Sequence, residues 1–562
     1  MLMLNQALLS FKPFLTRGLI YGSVAKNITM KAALILCPFF TNGDYPALGI
    51  ASINGALRDA GHETACFDFC WLAYQEGQGE FHLIRQFFGV GIVSDEVVFV
   101  LEPELGLYLL FREDEPSRSS EPGFTLKPGA DPEIKRAAGM LYLGLRQMVP
   151  EWAERVLDEN PDAVFFSTYA SNVFISLYLA RQIKKRRPDL PVIFGGPGVS
   201  LPEMQEFTLG LGIVDAVVVG EGELTVRELC SDLKRNLLSG VSGLAIRGSE
   251  GSAESGSVVF EPRALVKDLD SLPSISFEGF PLPGLGYSAY KSNRPNRYLT
   301  PFFEGLPVAS TRGCVNRCAY CSETAYWSRF RQRKVENVIE QIRGLHERFG
   351  ETHFLFSESA FNGNQGWVKE FCEKAGSLPF QPVFSSLLIA DRSIDEVLAG
   401  MMYQVGFRYG VLGVETFSRT IRERMNKRAD EDEIFSSILA LTRAGIHVKA
   451  NLLVGFPGES NEEFETSLRQ IERWAGLSRE DRGPGSLYWD AGHRVRLEAY
   501  SELFHHPKSY GITISPREIA LPDRLFYLRR PLSKILFRWS MSPDSETIQK
   551  RSARMKEVVG KS

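Results

Sequence analysis

Cysteine is scarce, at 8 in 562 residues, too few to staple a chain of this length, so a disulfide framework is excluded. No stretch reaches the roughly 18–20 uninterrupted apolar residues of a membrane-spanning helix. Charge of one sign is also lacking: Lys+Arg 64 against Asp+Glu 68 argues against a protein that grips nucleic acid through a basic face. A hydrophobic fraction of 44% and a charged fraction of 23% exclude a disordered or collagen-like chain. The length suggests roughly three to four domains. Cysteines left unpaired point to a reducing cytoplasm. Three of them, Cys314, Cys318 and Cys321, fall within eight consecutive positions.

Residues 1–30 contain Lys12, Arg17 and Lys26 but no Asp or Glu, a composition shared with transit peptides. Met30 leads at once into Lys31-Ala-Ala-Leu-Ile-Leu-Cys37, which reads as an opening strand, so 1–30 is expected to be a disordered extension. From Ala32 strand and helix alternate. Ala32–Cys37, Glu63–Phe69, Ala163–Ser167, Val192–Gly195 and Ala216–Val219 have strand length; Leu48–Ala60, Asp131–Asp158 and Val173–Arg186 have helical spacing. Short apolar strands separated by helices predict a parallel, doubly wound Rossmann-like sheet over 31–240. Ligands of such sheets sit beyond the carboxyl ends of the strands, which here carry Asn42–Tyr45, Ser167-Thr168-Tyr169, Gly195-Gly196-Pro197 and Gly220–Glu223.

A Gly/Ser-rich stretch at 248–257, expected as a hairpin tip, and Asp268–Pro273 mark a connector over 241–304. The βα alternation restarts at Val308, with strands predicted at Val308–Thr311, His353–Ser357, Val383–Ile389, Tyr409–Val414, His447–Val454 and Val495–Ala499. Six βα units over 305–500 predict a partial (β/α)6 barrel. Residues 501–562 read as a helical C-terminal cap.

The segment Gly313-Cys314-Val-Asn-Arg-Cys318-Ala-Tyr320-Cys321 follows the first barrel strand. Three thiolates spaced four and three residues apart can converge on one metal centre. Structural zinc closes its tetrahedron with four ligands, and the nearest following histidines are the distant His346 and His353. Iron–sulfur cubanes also usually have four cysteines, so three leave one iron open. A zinc knuckle completed by a remote residue is the alternative. The other cysteines, Cys37, Cys66, Cys70, Cys230 and Cys372, are expected as buried small hydrophobes.

The Cys-x3-Cys-x2-Cys spacing, with an aromatic before the last cysteine, resembles the signature of the radical S-adenosylmethionine (SAM) superfamily, and the resemblance spans about 305–500. It implies that Cys314, Cys318 and Cys321 hold a [4Fe-4S] cluster whose fourth iron is chelated by SAM, and that Tyr320 packs near the adenine. Gly413-Val-Glu415 is similar to the strand-four SAM segment. Leu453-Val-Gly455-Phe-Pro-Gly458-Glu459 is similar to the strand-five segment along the adenine, which places Glu459 near the cofactor as well. Where relatives carry paired aspartates after strand two, this chain has Ser357-Glu358, leaving Glu358 as the candidate for the SAM amino group. Arg329, Arg331, Arg333 and Lys334 are either a solvated helix start or partners of the cofactor carboxylate.

The first module, with Pro46-x-Leu-Gly49, Gly61-His62-Glu63, Gly195-Gly196-Pro197 and Val219–Glu223, resembles the cobalamin-binding domain that precedes many radical SAM modules. The resemblance implies that Asn42 and Tyr45 face the lower side of the corrin, and that Ser167, Thr168, Gly195, Gly196, Gly220 and Glu221 surround the cobalamin. The Asp-x-His-x-x-Gly segment that ligates cobalt in other corrinoid proteins is absent. The activity implied is methyl transfer to an unactivated carbon of a small-molecule or peptide substrate, using a 5'-deoxyadenosyl radical and methylcobalamin. Cyclisation or rearrangement without net methylation, or a non-catalytic corrinoid- or metal-carrying module, are the alternatives. An electron donor such as flavodoxin or ferredoxin is the implied partner, with neither nucleic acid nor membrane. No general acid or base is legible; His493, Tyr500, His505 and His506 are placed near the last strand.

Overall fold

The structure, a computed structural model, describes residues 29–38, 46–69, 72, 107, 109–111, 132–233, 240–248, 256–280, 302, 305–516 and 527–561. Two parallel sheets dominate it. The first runs through β1 (Lys31–Leu36), β2 (Glu63–Asp68), β3 (Ala163–Ser167), β4 (Val192–Gly195), β5 (Ala216–Val218), β6 (Leu244–Arg247) and β7 (Val258–Glu261), in the spatial order β2-β1-β3-β4-β5-β6-β7. Its first five strands are parallel, and β6 and β7 close the edge antiparallel. The strand order reverses direction between β1 and β3, and a crevice opens at such a switch point.

Alternation along β1 shows why the sheet is covered on both faces. Ala32, Leu34 and Leu36 enter one core with the helix Leu48–Asp59, and Ala33 and Ile35 enter another with the helices Pro132–Asp158, Val173–Arg186 and Pro202–Gly210. Successive strand side chains point to opposite faces, so a run apolar at every position demands two covering layers.

The expected connector 241–304 begins with β6 and β7, which belong to the first sheet. Its next described part is a strap along the helix Leu48–Asp59: Ser276 N donates to Ala51 O, and Asn54 Nδ2 donates to Ser276 O (2.9 Å) and Glu278 O (2.8 Å). Glu278 pairs with Arg58 of the first module and Arg348 of the second, and Phe277 meets Phe349 edge-on. One core therefore continues from the first module into the second.

The second sheet comprises β8 (Leu306–Val308), β11 (His353–Phe356), β12 (Val383–Ile389), β13 (Phe407–Glu415), β14 (His447–Val454) and β15 (Leu487–Arg494). All its pairs are parallel and in chain order, a six-stranded partial barrel. A two-stranded ribbon, β9 (Thr311–Arg312) with β10 (Arg331–Gln332), brackets the cysteine loop. The α-helices between β11 and β15 start on side-chain caps, such as the capping boxes of Asp430 with Glu433 and Ser460 with Glu463, which satisfy amide donors that have no partner within the helix.

The last barrel strand is Leu487–Arg494 and not Val495–Ala499. Val495 and Leu497 do not enter the barrel wall; they join a separate core with Ala319, Ile421 and Met425, bracing the cysteine loop from below. The C-terminal cap is only partly helical: besides the helices Glu502–His505, Arg529–Ile535 and Ser545–Lys561 it holds an antiparallel ribbon, β16 (Thr513–Pro516) with β17 (Phe537–Ser540). No helix among the described residues is long and apolar enough to cross a membrane.

Candidate functional site

The carboxyl ends of β1, β3, β4 and β5 face the mouth of the barrel across a cleft of ≈ 340 Å³. The first module contributes Gly49, Ser167, Tyr169, Gly195, Gly196, Gly220 and Glu221, over an apolar floor of Phe165, Ile193 and Val218. The second contributes Thr311, Arg312, Ser322, Glu323, Tyr326, Trp327, Glu358 and Tyr500. Two phenols bridge the modules: Tyr326 Oη donates to Gly220 O (3.4 Å) and Tyr500 Oη to Pro197 O (3.2 Å).

The cysteine loop leaves β9 through Gly313, whose φ of 79° places a hypothetical Cβ 2.5 Å from Arg329 O; only glycine fits that turn. Cys314, Cys318 and Cys321 are free and half-buried. Burial raises all three thiols, Cys321 to about 12; Cys318 adds to the shift of Cys314, and both add to that of Cys321. Lys427 opposes this shift at Cys314 and Cys318. Three thiols in one desolvated loop are a donor set that metal binding would deprotonate. Among the described residues no three His, Cys, Asp or Glu side chains are gathered as one metal ion needs them; a cubane spreads three thiolates over three irons. The donor set fits such a cluster.

Tyr320 is half-buried between Cys318 and Glu415, and desolvation, followed by the Glu415 charge, holds its phenol well above the ordinary range. Glu415 ends β13 at φ 67°, a left-handed conformation that is costly for a residue with a side chain and marks positions held for function. Its Oε1 lies 3.3 Å from Lys427 Nζ, which also donates to Gly413 O (2.6 Å).

Glu358 is buried just past β11. Its Oε1 accepts from Ser310 N (2.9 Å), Ser310 Oγ and Thr311 N (3.2 Å), while Oε2 is buried with no partner. Burial pushes the carboxyl up to about 7 despite those donors. An orphaned acceptor on the cleft wall fits an incoming ammonium group. Leu453 packs in the core that holds Tyr320 and Phe456. Gly455 lies beneath Ile548 of the C-terminal helix, where a Cβ would meet the Ile548 side chain at 2.5 Å. Glu459 is engaged by Gly455 N (2.9 Å) and Arg551 Nη1 (3.0 Å).

Of the residues expected around cobalamin, Ser167, Gly195, Gly196, Gly220 and Glu221 line the cleft, and Asn42 and Tyr45 lie outside the described residues. Thr168 is fully buried, and its hydroxyl donates to Gly195 O (2.8 Å). Arg331 and Arg333 are buried, and Arg331 Nη1 pairs with Glu221 Oε1 at 2.7 Å. His493 Nε2 lies 2.8 Å from Asp490 Oδ1, and Asp490 in turn holds Lys449. His505 and His506 are exposed. Cys37, Cys66, Cys230 and Cys372 are buried, while Cys70 lies outside the described residues. Arg312, Glu323, Tyr326 and Trp327 escaped the sequence reading; their one signal was adjacency to the cysteine motif.

A flavodoxin-ordered sheet facing a six-stranded parallel barrel, with a three-cysteine loop whose flanks Gly313, Ser322 and Glu323 line the shared cleft while the cysteines themselves do not, fits the class that couples a corrinoid-type module to a radical SAM barrel. Family models agree: residues 308–471 match the radical SAM superfamily and residues 134–230 the B12 binding domain. The chain thus carries a segment matching the B12 binding domain followed by one matching the radical SAM superfamily.

It is 27% identical over 346 residues to the uncharacterized methyltransferase PH0819 of Pyrococcus horikoshii, covering 59% of this chain and 69% of that one. It is 24% identical over 380 residues to the anaerobic magnesium-protoporphyrin IX monomethyl ester cyclase of Synechocystis, covering 66% and 68%. Among solved structures, the radical SAM methyltransferase TsrM from Kitasatospora setae, with tryptophan and a SAM analogue bound, superposes with a TM-score of 0.59 at 15% identity, covering 94% of this chain and 89% of that one. At that identity the likeness is one of fold.

Proposed function

We propose that this chain is a cobalamin-dependent radical SAM methyltransferase acting on an unactivated carbon of a small-molecule or peptide substrate. The observation that carries the proposal is the single cleft walled by both modules. When bound, the cluster and SAM supply hydrogen abstraction, and the corrinoid supplies the methyl group. Cys314, Cys318 and Cys321 hold the cluster, Glu358 accepts from the SAM ammonium, and Tyr320 with Glu415 borders the nucleoside. Ser167, Gly195, Gly196 and Gly220 hold the corrinoid tail. Tyr169, Tyr326, Trp327 and Tyr500 wall the cleft and exclude water from radical chemistry. A cytoplasmic setting and a flavodoxin- or ferredoxin-like electron donor complete the proposal.

Anaerobically reconstituted protein supplied with SAM and a reductant is expected to form 5'-deoxyadenosine, and with substrate to release S-adenosylhomocysteine and a product heavier by one CH2. Absence of 5'-deoxyadenosine from iron-loaded protein overturns the proposal. Likeness to the cyclase favours a second reading, rearrangement or cyclisation without net methylation, for which product mass shows no added CH2 and no S-adenosylhomocysteine appears.

A further inference from the structure

Four charged side chains join the two modules at the cleft, three of them, Glu221, Glu223 and Arg312, in its wall. Arg312 Nη1 lies 2.8 Å from Glu221 Oε1 and Nη2 binds Glu223, so one guanidinium spans a carboxylate of the loop after β5 and the one that opens the helix Glu223–Leu233. Arg331, opposite Arg312 in the β9–β10 ladder, grips the same Glu221 oxygen and donates to Val266 O (2.6 Å). Glu221 Oε2 accepts from Val266 N (3.0 Å). The side chains are 14% (Arg312), 7% (Glu221, Arg331) and 6% (Glu223) exposed. Burial would raise Glu221, but the Arg312 and Arg331 charges outweigh it and hold its carboxyl below the ordinary range.

Ion pairs this deep give little stability over apolar packing, because desolvation offsets their attraction. What a forked guanidinium between two carboxylates does give is one fixed registration. That registration has an address at each end. Gly220 and Glu221 line the first module's side of the cleft. Arg312 precedes the constrained Gly313 and stands two residues before Cys314.

We propose that Arg312 is a positioning residue that locks the β5 loop of the corrinoid module to the cluster loop, so that filling one cofactor site sets the geometry of the other. This rests on the function proposed above. It predicts reciprocal coupling between the two sites, measurable as binding and independent of turnover. Hydroxocobalamin is titrated spectrophotometrically into the full chain, cluster-loaded and iron-stripped. Wild type is expected to bind about 5-fold or more tightly when the cluster is in place. In Arg312→Gln the ratio is expected to fall to within about 2-fold of unity, and Arg312→Lys, which keeps charge but not the fork, to give an intermediate ratio. If Arg312→Gln does not fold, the Lys variant alone decides. A wild-type ratio near one, or a ratio the variants leave unchanged, overturns the proposal alone; no hydroxocobalamin uptake by wild type overturns the function reading and this one with it.

Discussion

The two sides of the barrel mouth each bury one glutamate, and the pair is held in opposite ways. On the β8–β11 side, Glu358 accepts three hydrogen bonds on one oxygen and keeps the other buried and unpartnered on the cleft wall. On the β14 side, Glu459 is met by Gly455 N and Arg551, and the C-terminal helix lies over the strand end. Burial pushes both carboxyls up to about 7. A raised carboxyl alone therefore does not separate a ligand-facing group from a structural one; the partner does, a cation at Glu459 and only neutral donors at Glu358. Glu358 remains a candidate for binding, while Glu459 anchors the cap.

The largest effect tests what lies between these two sides. Cys318→Ser is expected to abolish stable cluster incorporation, with iron content, visible absorption and 5'-deoxyadenosine formation all falling to background; full iron loading of the variant would remove the centre from the comparison. Next, Arg551→Ala leaves Glu459 buried beside no cation. It is expected to cost about 3 kcal/mol, read as a lower melting temperature, with SAM affinity of the folded fraction retained.

Glu358→Gln should do the reverse, weakening SAM binding by roughly 10- to 100-fold through loss of a charge-assisted contact, with little change in melting. Equilibrium dialysis of both variants breaks the contrast if they lose SAM equally. The smallest effect is a pH slope. Both carboxyls hold protons to a higher pH when folded than unfolded, so stability should fall as pH rises from the ordinary 4.5 towards 7. Melting of the metal-free protein across that window checks the sign, and Glu358→Gln should flatten part of the slope.

Much of this was legible because it is local. The cysteine spacing, the helix Val335–Phe349 and the strands Val383–Ile389 and His447–Val454 are written in contiguous residues, and the structure places those elements at the same bounds. What escaped depends on partners far along the chain. Val495 and Leu497 have the look of a strand, yet their apolar faces are claimed by Ala319 and its neighbours. The β6–β7 hairpin is expected from its Gly/Ser-rich stretch and is present, but its membership of the first sheet escaped, because β5 supplies the pairing edge. Glu221 stands in a corrinoid-like loop, but Arg312 and Arg331, some 90 to 110 positions away, take up one of its oxygens. Glu459 was placed by likeness beside the nucleoside, and only the chain's last helix reveals Arg551 as its partner.

The phenol bridges across the cleft also carry a consequence for how the joint can change. Tyr326 and Tyr500 donate to the main-chain oxygens of Gly220 and Pro197, and every amino acid supplies that acceptor. Substitution in the first module cannot delete these two contacts while the loops keep their course; only the barrel can withdraw them. These two contacts, unlike the Arg312–Glu221 and Arg312–Glu223 pairs, are thus read from backbone shape on one side and residue identity on the other. A corrinoid module with the same loop path but unrelated side chains would still be met by both tyrosines, so this part of the interface tolerates exchange of its partner domain.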